Sequence, residues 1–170
     1  MCMLSTNAPL TQLPDYDQFK LSLVSEWRRA IRGHYEIALI LIDVDHFKPY
    51  IEACSRAVGE QTLSLIASEI QEHVRRAGDV AARFDSDEFA ILLPNTTLEG
   101  ALRVAQGIRA AIEELDITNV ACANRRVTVS VGVAASTPDM NDQADILVAA
   151  ADAAVAEAKR QGRNRVHPTA

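Results

Sequence analysis

The chain is predicted to fold as an α+β sandwich, an antiparallel-rich central sheet flanked by helices. Three observations carry that expectation. Leu39-Ile40-Leu41-Ile42 is an unbroken apolar run, as a strand covered on both faces requires. Arg83 to Pro94 sets an acidic tip between two apolar arms, the pattern of paired strands and their turn. Arg126 to Val133 alternates with period two, a further strand. With helical stretches between them, the order β-α-α-β-β-α-β is of the ferredoxin-like kind.

The elements follow in order. Residues 15–33 space Phe19, Leu21, Val24, Trp27 and Ile31 at helical intervals and stop near Gly33, a helix in front of the core. Within it Glu26-Trp27-Arg28-Arg29 is amphipathic, with Trp27 on the core and the charges solvated. The first strand is expected from about Glu36 to Asp43, then a short helix from His46. A longer helix from Gly59 to Ala77 carries the stripe Leu63, Ile66, Ile70 and Val74. After the hairpin, Thr97 can cap a helix reaching about Leu115. Gly132, inside the late strand, marks either a bulge or a close backbone approach. The last helix, roughly Gln143 to Gln161, is rich in alanine, with Gly162 as the residue that ends it. One domain is expected over residues 1–170, with 1–14 a lead or linker remnant.

Composition narrows the function classes. At 170 residues and 48% hydrophobic content the chain can bury a full core. A net charge of −6 argues against a nucleic-acid surface, which would carry a basic stripe. The cations gather instead at Arg75-Arg76 and from Lys159 to Arg165, clusters that suit small phosphate ligands. Cys2, Cys54 and Cys122 are an odd count without metal spacing, and no secretory or membrane-spanning stretch is present in this segment. The expectation is a cytoplasmic protein.

The chemistry lies in carboxylates. The first strand delivers Asp43 and Asp45 to one sheet edge, and the hairpin tip brings Asp85, Asp87 and Glu88. Carboxylates gathered this way call for a cation. Mg²⁺ on one or two carboxylates plus substrate phosphates is the commonest such arrangement, which makes a nucleotide site the first hypothesis. His34, His46, His73 and His167 lack metal-ligand spacing and are read as surface or structural residues.

These motifs together resemble the GGDEF domain, the catalytic module of diguanylate cyclases, with its nucleotide-cyclase-like core. Leu10-Thr11-Gln12-Leu13-Pro14 is similar to the family's opening Leu-Thr-Gly-Leu. Asp43 to Lys48 matches Asp-x-Asp-x-Phe-Lys, and Lys159 to Asn164 matches Lys-x-x-Gly-Arg-Asn in full. The five-residue signature is Asp85-Ser86-Asp87-Glu88-Phe89, without its two glycines.

The resemblance implies roles. Mg²⁺ would be held by Asp43, the carbonyl of Val44 and Asp87. A triphosphate would meet backbone near Phe47, Lys48, and Lys159 with Arg163, which at i and i+4 could share one helix-end face. Asp87 and Glu88 would be the catalytic acids of an active enzyme, and Asp45 a structural partner of the following turn. Guanine recognition departs: the family's asparagine falls on Ile51, its later aspartate on Glu60, and its Gly-His pair on Ser55-Arg56. Isoleucine can neither donate nor accept. Asp85 adds a charge where glycine admits the nucleotide, though it can occupy a left-handed turn.

A second site is implied at Arg76-Ala77-Gly78-Asp79, which matches the family's product-inhibition motif Arg-x-x-Asp and precedes Asp85 at the family's offset. On its residues alone the same stretch is an ordinary helix stop before a strand. Two readings follow. The first is a degenerate GGDEF domain, weak or inactive as an enzyme, a regulatory module that binds cyclic di-GMP, or GTP weakly, and signals to a sensory or effector partner. The second is an active cyclase condensing two GTP with Mg²⁺ at a homodimer interface.

Overall fold

Strand β1 (Ile37–Val44) is buried along all eight of its residues and takes the centre of the sheet. In this computed structural model residues 11–169 are described. Around β1 the chain runs α1 (Tyr16–Gly33), then α2 (Phe47–Ala53), α3 (Arg56–His73), β2 (Val80–Arg83), β3 (Glu88–Pro94), α4 (Leu98–Glu114), β4 (Val129–Ser136), α5 (Asp145–Arg160) and β5 (Arg165–Pro168). The strand order is β2-β3-β1-β4-β5. Every pairing is antiparallel except β4 with β5, which is parallel. The expected antiparallel-rich α+β architecture is the one observed.

Alternation along the strands separates two cores. Ala38, Ile40 and Ile42 of β1 join Val129, Val131 and Val133 of β4 beneath Leu63, Ile66 and Ile70 of α3 and Ala105, Ile108 and Ile112 of α4. Ile37, Leu39 and Leu41 face the other way, onto Phe19, Leu23 and Trp27 of α1 and Leu147, Ala151 and Val155 of α5. Each fully buried aliphatic side chain contributes about 1.5–3 kcal/mol, so a strand buried on both sides anchors both layers. Trp27 packs as expected, and its indole N–H donates to the Asp142 carbonyl at 3.2 Å.

Several boundaries move. Helix α1 opens on Asp15, whose carboxylate accepts from the Gln18 N–H, and α4 opens on Thr97 as expected. Helix α3 starts at Arg56 rather than Gly59, because the Ser55 hydroxyl accepts from Val58 N–H. It ends at His73 rather than Ala77, where the chain turns through Gly78 at φ +101°. Strand β4 lies three residues later than expected: Arg126 instead bridges Thr118, and Val127 N–H donates to the Ile117 carbonyl. Strand β5 was not expected, since Arg-Val-His-Pro lacks the length and apolar content of a strand; it forms because Ser130–Val133 offers a free edge. Of the lead expected over residues 1–14, residues 1–10 and Cys2 with them lie outside the described residues. Leu13 is buried, and the Pro14 carbonyl accepts from Arg83 N–H at 2.9 Å.

Gly132 is resolved as a close approach. A Cβ there would lie 2.2 Å from the Ala151 carbonyl oxygen and 2.5 Å from Val155 N, both in the backbone of α5. Backbone cannot rotate aside. Gly132→Ala is therefore expected to destabilise by about 1–3 kcal/mol through overpacking. Gly78→Ala, with nothing within 4 Å of the added carbon, carries only the left-handed penalty of about 1 kcal/mol. Urea unfolding of both variants checks this; a Gly132→Ala midpoint no lower than that of Gly78→Ala would contradict the packing argument.

Candidate functional site

The carboxyl end of β1 brings the acids together. Asp43 lies opposite Glu88 of β3 and Ser130 of β4 in register, and Val44 N–H donates to the Asp87 carbonyl at 3.1 Å. Lys159, in the last turn of α5, places its Nζ 2.7 Å from Asp43 Oδ2. Asp43, Val44, Lys48, Asp87, Lys159 and Arg163 share one cavity of 230 Å³ with His46 and Phe47. Burial raises the Asp43 carboxyl above its ordinary range, against the pull of Lys159 and with a push from Asp87. Glu88 is pushed up to about 7, first by burial, then by the charge of Asp43 and the hydrogen bond between them, and further by Asp85 and Asp87.

The donor set suits a hard cation. Two carboxylates and a carbonyl are oxygen ligands of the kind Mg²⁺ takes, and the mutual repulsion of Asp43, Asp87 and Glu88 is what such a charge would relieve. Among the described residues no group of three or more His, Cys, Asp or Glu side chains could hold a metal ion. A cation held by Asp43, Val44 and Asp87 would therefore draw remaining ligands from water or phosphate.

The cationic wall is built by a helix stop. Arg163 N–H donates to the Ala158 carbonyl and Gly162 N–H to that of Lys159, with Gly162 at φ +117°. This is a Schellman turn, with Gly162 in the expected place. Lys159 and Arg163 do not share a helix face, since α5 ends at Arg160 and Arg163 lies in a left-handed conformation at φ +65°. They reach one cavity through the turn. Asp45 also differs from expectation. Its buried carboxylate accepts from Thr128 Oγ1 at 2.8 Å, Ser130 Oγ at 2.6 Å and Asn164 N at 3.1 Å. It ties β4 and the Schellman turn to β1, not the turn that follows it.

A second cavity of 440 Å³ adjoins the first through Phe47, Lys48 and Asp87, and is completed by Ile51, Arg56, Glu60 and Ser86. Ile51 packs on Gly59, where an added Cβ would lie 2.4 Å from Ile51 Cγ2. Glu60 is not free: Arg83 forks onto it, Nη1 to Oε2 at 3.1 Å and Nη2 to Oε1 at 3.3 Å, and also donates to the Ser86 carbonyl at 2.6 Å. Arg83 is the residue that sequence reasoning missed, because nothing in the chain pairs positions 83 and 60 before the sheet forms. Asp85 and Ser86 are not among the left-handed residues, so the hairpin turn needs neither glycine for its backbone. Ser86 Oγ donates to Asp87 Oδ1 at 3.0 Å.

Arg76 and Asp79 meet in a tight turn, with Asp79 N–H donating to the Arg76 carbonyl at 3.1 Å. The helix-stop reading fails for Arg76, which lies past the end of α3 at His73. Its guanidinium is exposed and reaches Thr96 Oγ1 at 3.4 Å. Burial raises the Asp79 carboxyl, and the charge of Arg76 pulls it back. Strand β2 stands between this turn and the hairpin tip.

The family model "Diguanylate cyclase, GGDEF domain" matches residues 7–165. The chain belongs to the GGDEF family. Its GGDEF fold superposes on the crystal structure of the GGDEF domain of DgcB from Caulobacter crescentus in complex with c-di-GMP, with TM-score 0.85 and 27% identity over 99% of this chain and 98% of that one. The GGDEF domain of PA1120 from Pseudomonas aeruginosa is 31% identical with TM-score 0.83, over 95% and 92% of the two chains. Diguanylate cyclase DgcP of Pseudomonas aeruginosa is 33% identical over 93% of this chain, which spans 23% of that protein. Diguanylate cyclase A of Treponema denticola is 36% identical over 76% of this chain and 34% of its own length. Among the described residues no helix is long and apolar enough to cross a membrane.

The stability of the fold is expected to depend on pH through Glu88. Its folded value of about 7 exceeds its ordinary 4.5, so folding favours the protonated form. That stabilisation is full below pH 4.5 and lost as pH rises through 7. Glu88→Gln, which cannot ionise, should lose less stability than the parent chain between those limits. Urea midpoints across the range measure it, and parallel curves for the two chains would refute the assignment.

Proposed function

We propose that this domain is a degenerate GGDEF module of the cytoplasm that binds cyclic di-GMP through Arg76 and Asp79 and passes the signal to a sensory or effector partner, with little or no cyclase activity. The observation that carries it is the turn Arg76–Asp79, which holds an exposed guanidinium beside a half-buried carboxylate. Arginine stacks on a purine and forks to phosphate, and the carboxylate accepts from the guanine edge. The DgcB GGDEF domain, similar over nearly all of this chain, was solved with c-di-GMP.

The substrate cleft supports the degenerate part of the reading. Phe47, Lys48, Lys159 and Arg163 stand ready for phosphates, and Asp43, Val44 and Asp87 for Mg²⁺, whose charge would neutralise phosphate oxygens. The base end has lost its polar wall to Ile51, and Glu60 answers to Arg83. Asp85 adds a further negative charge at the tip. One observation favours the alternative, an active cyclase: Asp43, Asp87, Lys159 and Arg163 line a single cavity. In that case Asp87 and Glu88 would be needed for turnover, and two domains, each holding one GTP, would face each other as a homodimer.

Calorimetry with cyclic di-GMP tests the module. Binding tighter than millimolar is expected, and Arg76→Ala should weaken it by about 1.5–3 kcal/mol, the range of charge-assisted hydrogen bonds. Arg76→Lys should fail nearly as badly, since an ammonium cannot fork. Equal binding by the parent chain and Arg76→Ala would end this reading. Chromatography of GTP and Mg²⁺ incubated with the domain separates the alternatives. Product at about 1 s⁻¹ or faster, abolished by Asp87→Ala, would establish the cyclase instead.

A further inference from the structure

Helices α1 and α5 cover the same face of the sheet, and each end of that layer turns an apolar patch to solvent with a rim of one charge. On α1, Leu21 is 75% exposed and Val24 lies one turn on, with Lys20, Arg28 and Arg32 around them. Among the described residues these cations have no ion-pair partner, since the one pair on α1 is Arg29 with Glu26. At the entry to α5, Met140 is 88% exposed and Ile146 is 60% exposed. Asp139 and Asp145 adjoin them in the chain, both exposed, and no described cation pairs with either. The Trp27 indole N–H, which donates to the Asp142 carbonyl at 3.2 Å, makes the two patches neighbours.

A lone exposed aliphatic is ordinary on a protein surface. Four in two adjoining patches with opposite rims have a specific complement: a second copy, turned about a two-fold axis, sets the basic patch of each chain on the acidic patch of the other. Both junctions are then satisfied at once. The rims attract and orient while the aliphatic side chains leave water. An anionic bilayer or a nucleic acid would attract the α1 rim and repel the acids beside it. With a net charge of −6, copies of this chain repel one another overall, so a local match of opposite charges is what can bring them together.

We infer that the α1 and α5 layer is an isologous interface on which two copies of this chain pair, basic patch on acidic patch. None of its residues lines the cleft or belongs to the Arg76–Asp79 turn, and pairing here is independent of the function proposed above.

Sedimentation equilibrium of the chain over a range of concentrations tests it. A monomer and dimer in equilibrium, half associated at about 1–100 μM, are expected, with association weakened about threefold or more at high salt. Arg28→Glu with Arg32→Glu in one variant, and Asp139→Lys with Asp145→Lys in another, should each weaken self-association at least about tenfold, because like rims then meet. The second variant moves net charge toward zero, so its loss cannot come from overall repulsion. Mixed in equal amounts, the two variants should pair about as tightly as the parent chain, since each junction then joins opposite rims. Leu21→Ser leaves every charge and the core in place and should also weaken association, which keeps the surface testable if a charge reversal unfolds the chain. A parent chain that stays monomeric throughout would overturn the inference, and so would a dimer that survives both reversals or a mixture that fails to pair. A monomer that instead binds vesicles of anionic lipid would assign the patch to a membrane and overturn it too.

Discussion

The buried carboxylate of Asp45 is the interaction on which the rest of this molecule hangs. It stands one residue past β1 with almost no exposure, and a charge so placed is tolerated only when its lone pairs are filled. Thr128, Ser130 and the backbone of Asn164 fill them, and its own N–H donates to the Thr128 carbonyl. One group therefore joins the central strand, the start of β4 and the turn after α5. Breaking such an arrangement from one side costs on the order of 3–5 kcal/mol, because the partners stay behind unpaired. The turn needs that anchor: Arg163 and Asn164 are successive non-glycine residues in left-handed backbone, each carrying a penalty of about 1–2 kcal/mol. Asn164 is also gripped through its side chain, by Arg109 at 2.9 Å and Glu113 at 2.9 Å on α4. A cation beside the acids is thus fixed by bonds that belong to the fold.

The acids show how far local charge can be pushed once position is fixed. Asp43 faces Glu88 across the β1–β3 ladder, so neither can move away without unpairing the strands. The ammonium of Lys159, 2.7 Å from Asp43, offsets part of the repulsion, and burial with the charge of Asp43 raises the Glu88 carboxyl. Asp85 adds to the load on Glu88. The charge brought by that departure from the family signature is felt at the signature's fourth residue, although the backbone of the turn is indifferent to it.

What the sequence disclosed and what it hid divide along the range of the forces. The apolar run of β1, the caps at Thr97 and Gly162 and the hairpin are local patterns, set by side-chain period and by the few residues that suit a helix end, and they stand where expected. The hidden features are long-range. Strand β5 exists because β4 has an edge to offer, and a four-residue stretch of mixed polarity carries no sign of that. The Glu60–Arg83 fork joins a helix to a strand that meet only in the folded chain. Gly132 could be flagged as special but not explained, since the intruding backbone of α5 comes from elsewhere in the sequence. At the site, Asp43, Val44, Lys48, Asp87, Lys159 and Arg163 could be named from motifs and do gather in one cavity. The route by which Arg163 arrives could not be named, because the helix was expected to run one residue further.

The two ends of the cleft are bound to the fold to very different degrees. Asp43 is mostly buried and compensated by Lys159, so loss of the lysine would strand a carboxylate in the sheet. Asn164 serves Asp45, Arg109 and Glu113 at once. Lys159 and Asn164 thus carry stability as well as any function. Position 51 carries no such duty. Its side chain is half-buried against Gly59 on the outer pair α2 and α3, where an apolar group gains packing and leaves no polar atom unpaired. The same holds at the hairpin tip, where backbone in ordinary conformations accepts Asp85 and Ser86 without strain. The charged end is tied into the fold through the Asp43–Lys159 pair and Asn164, and the wall at Ile51 has no such tie.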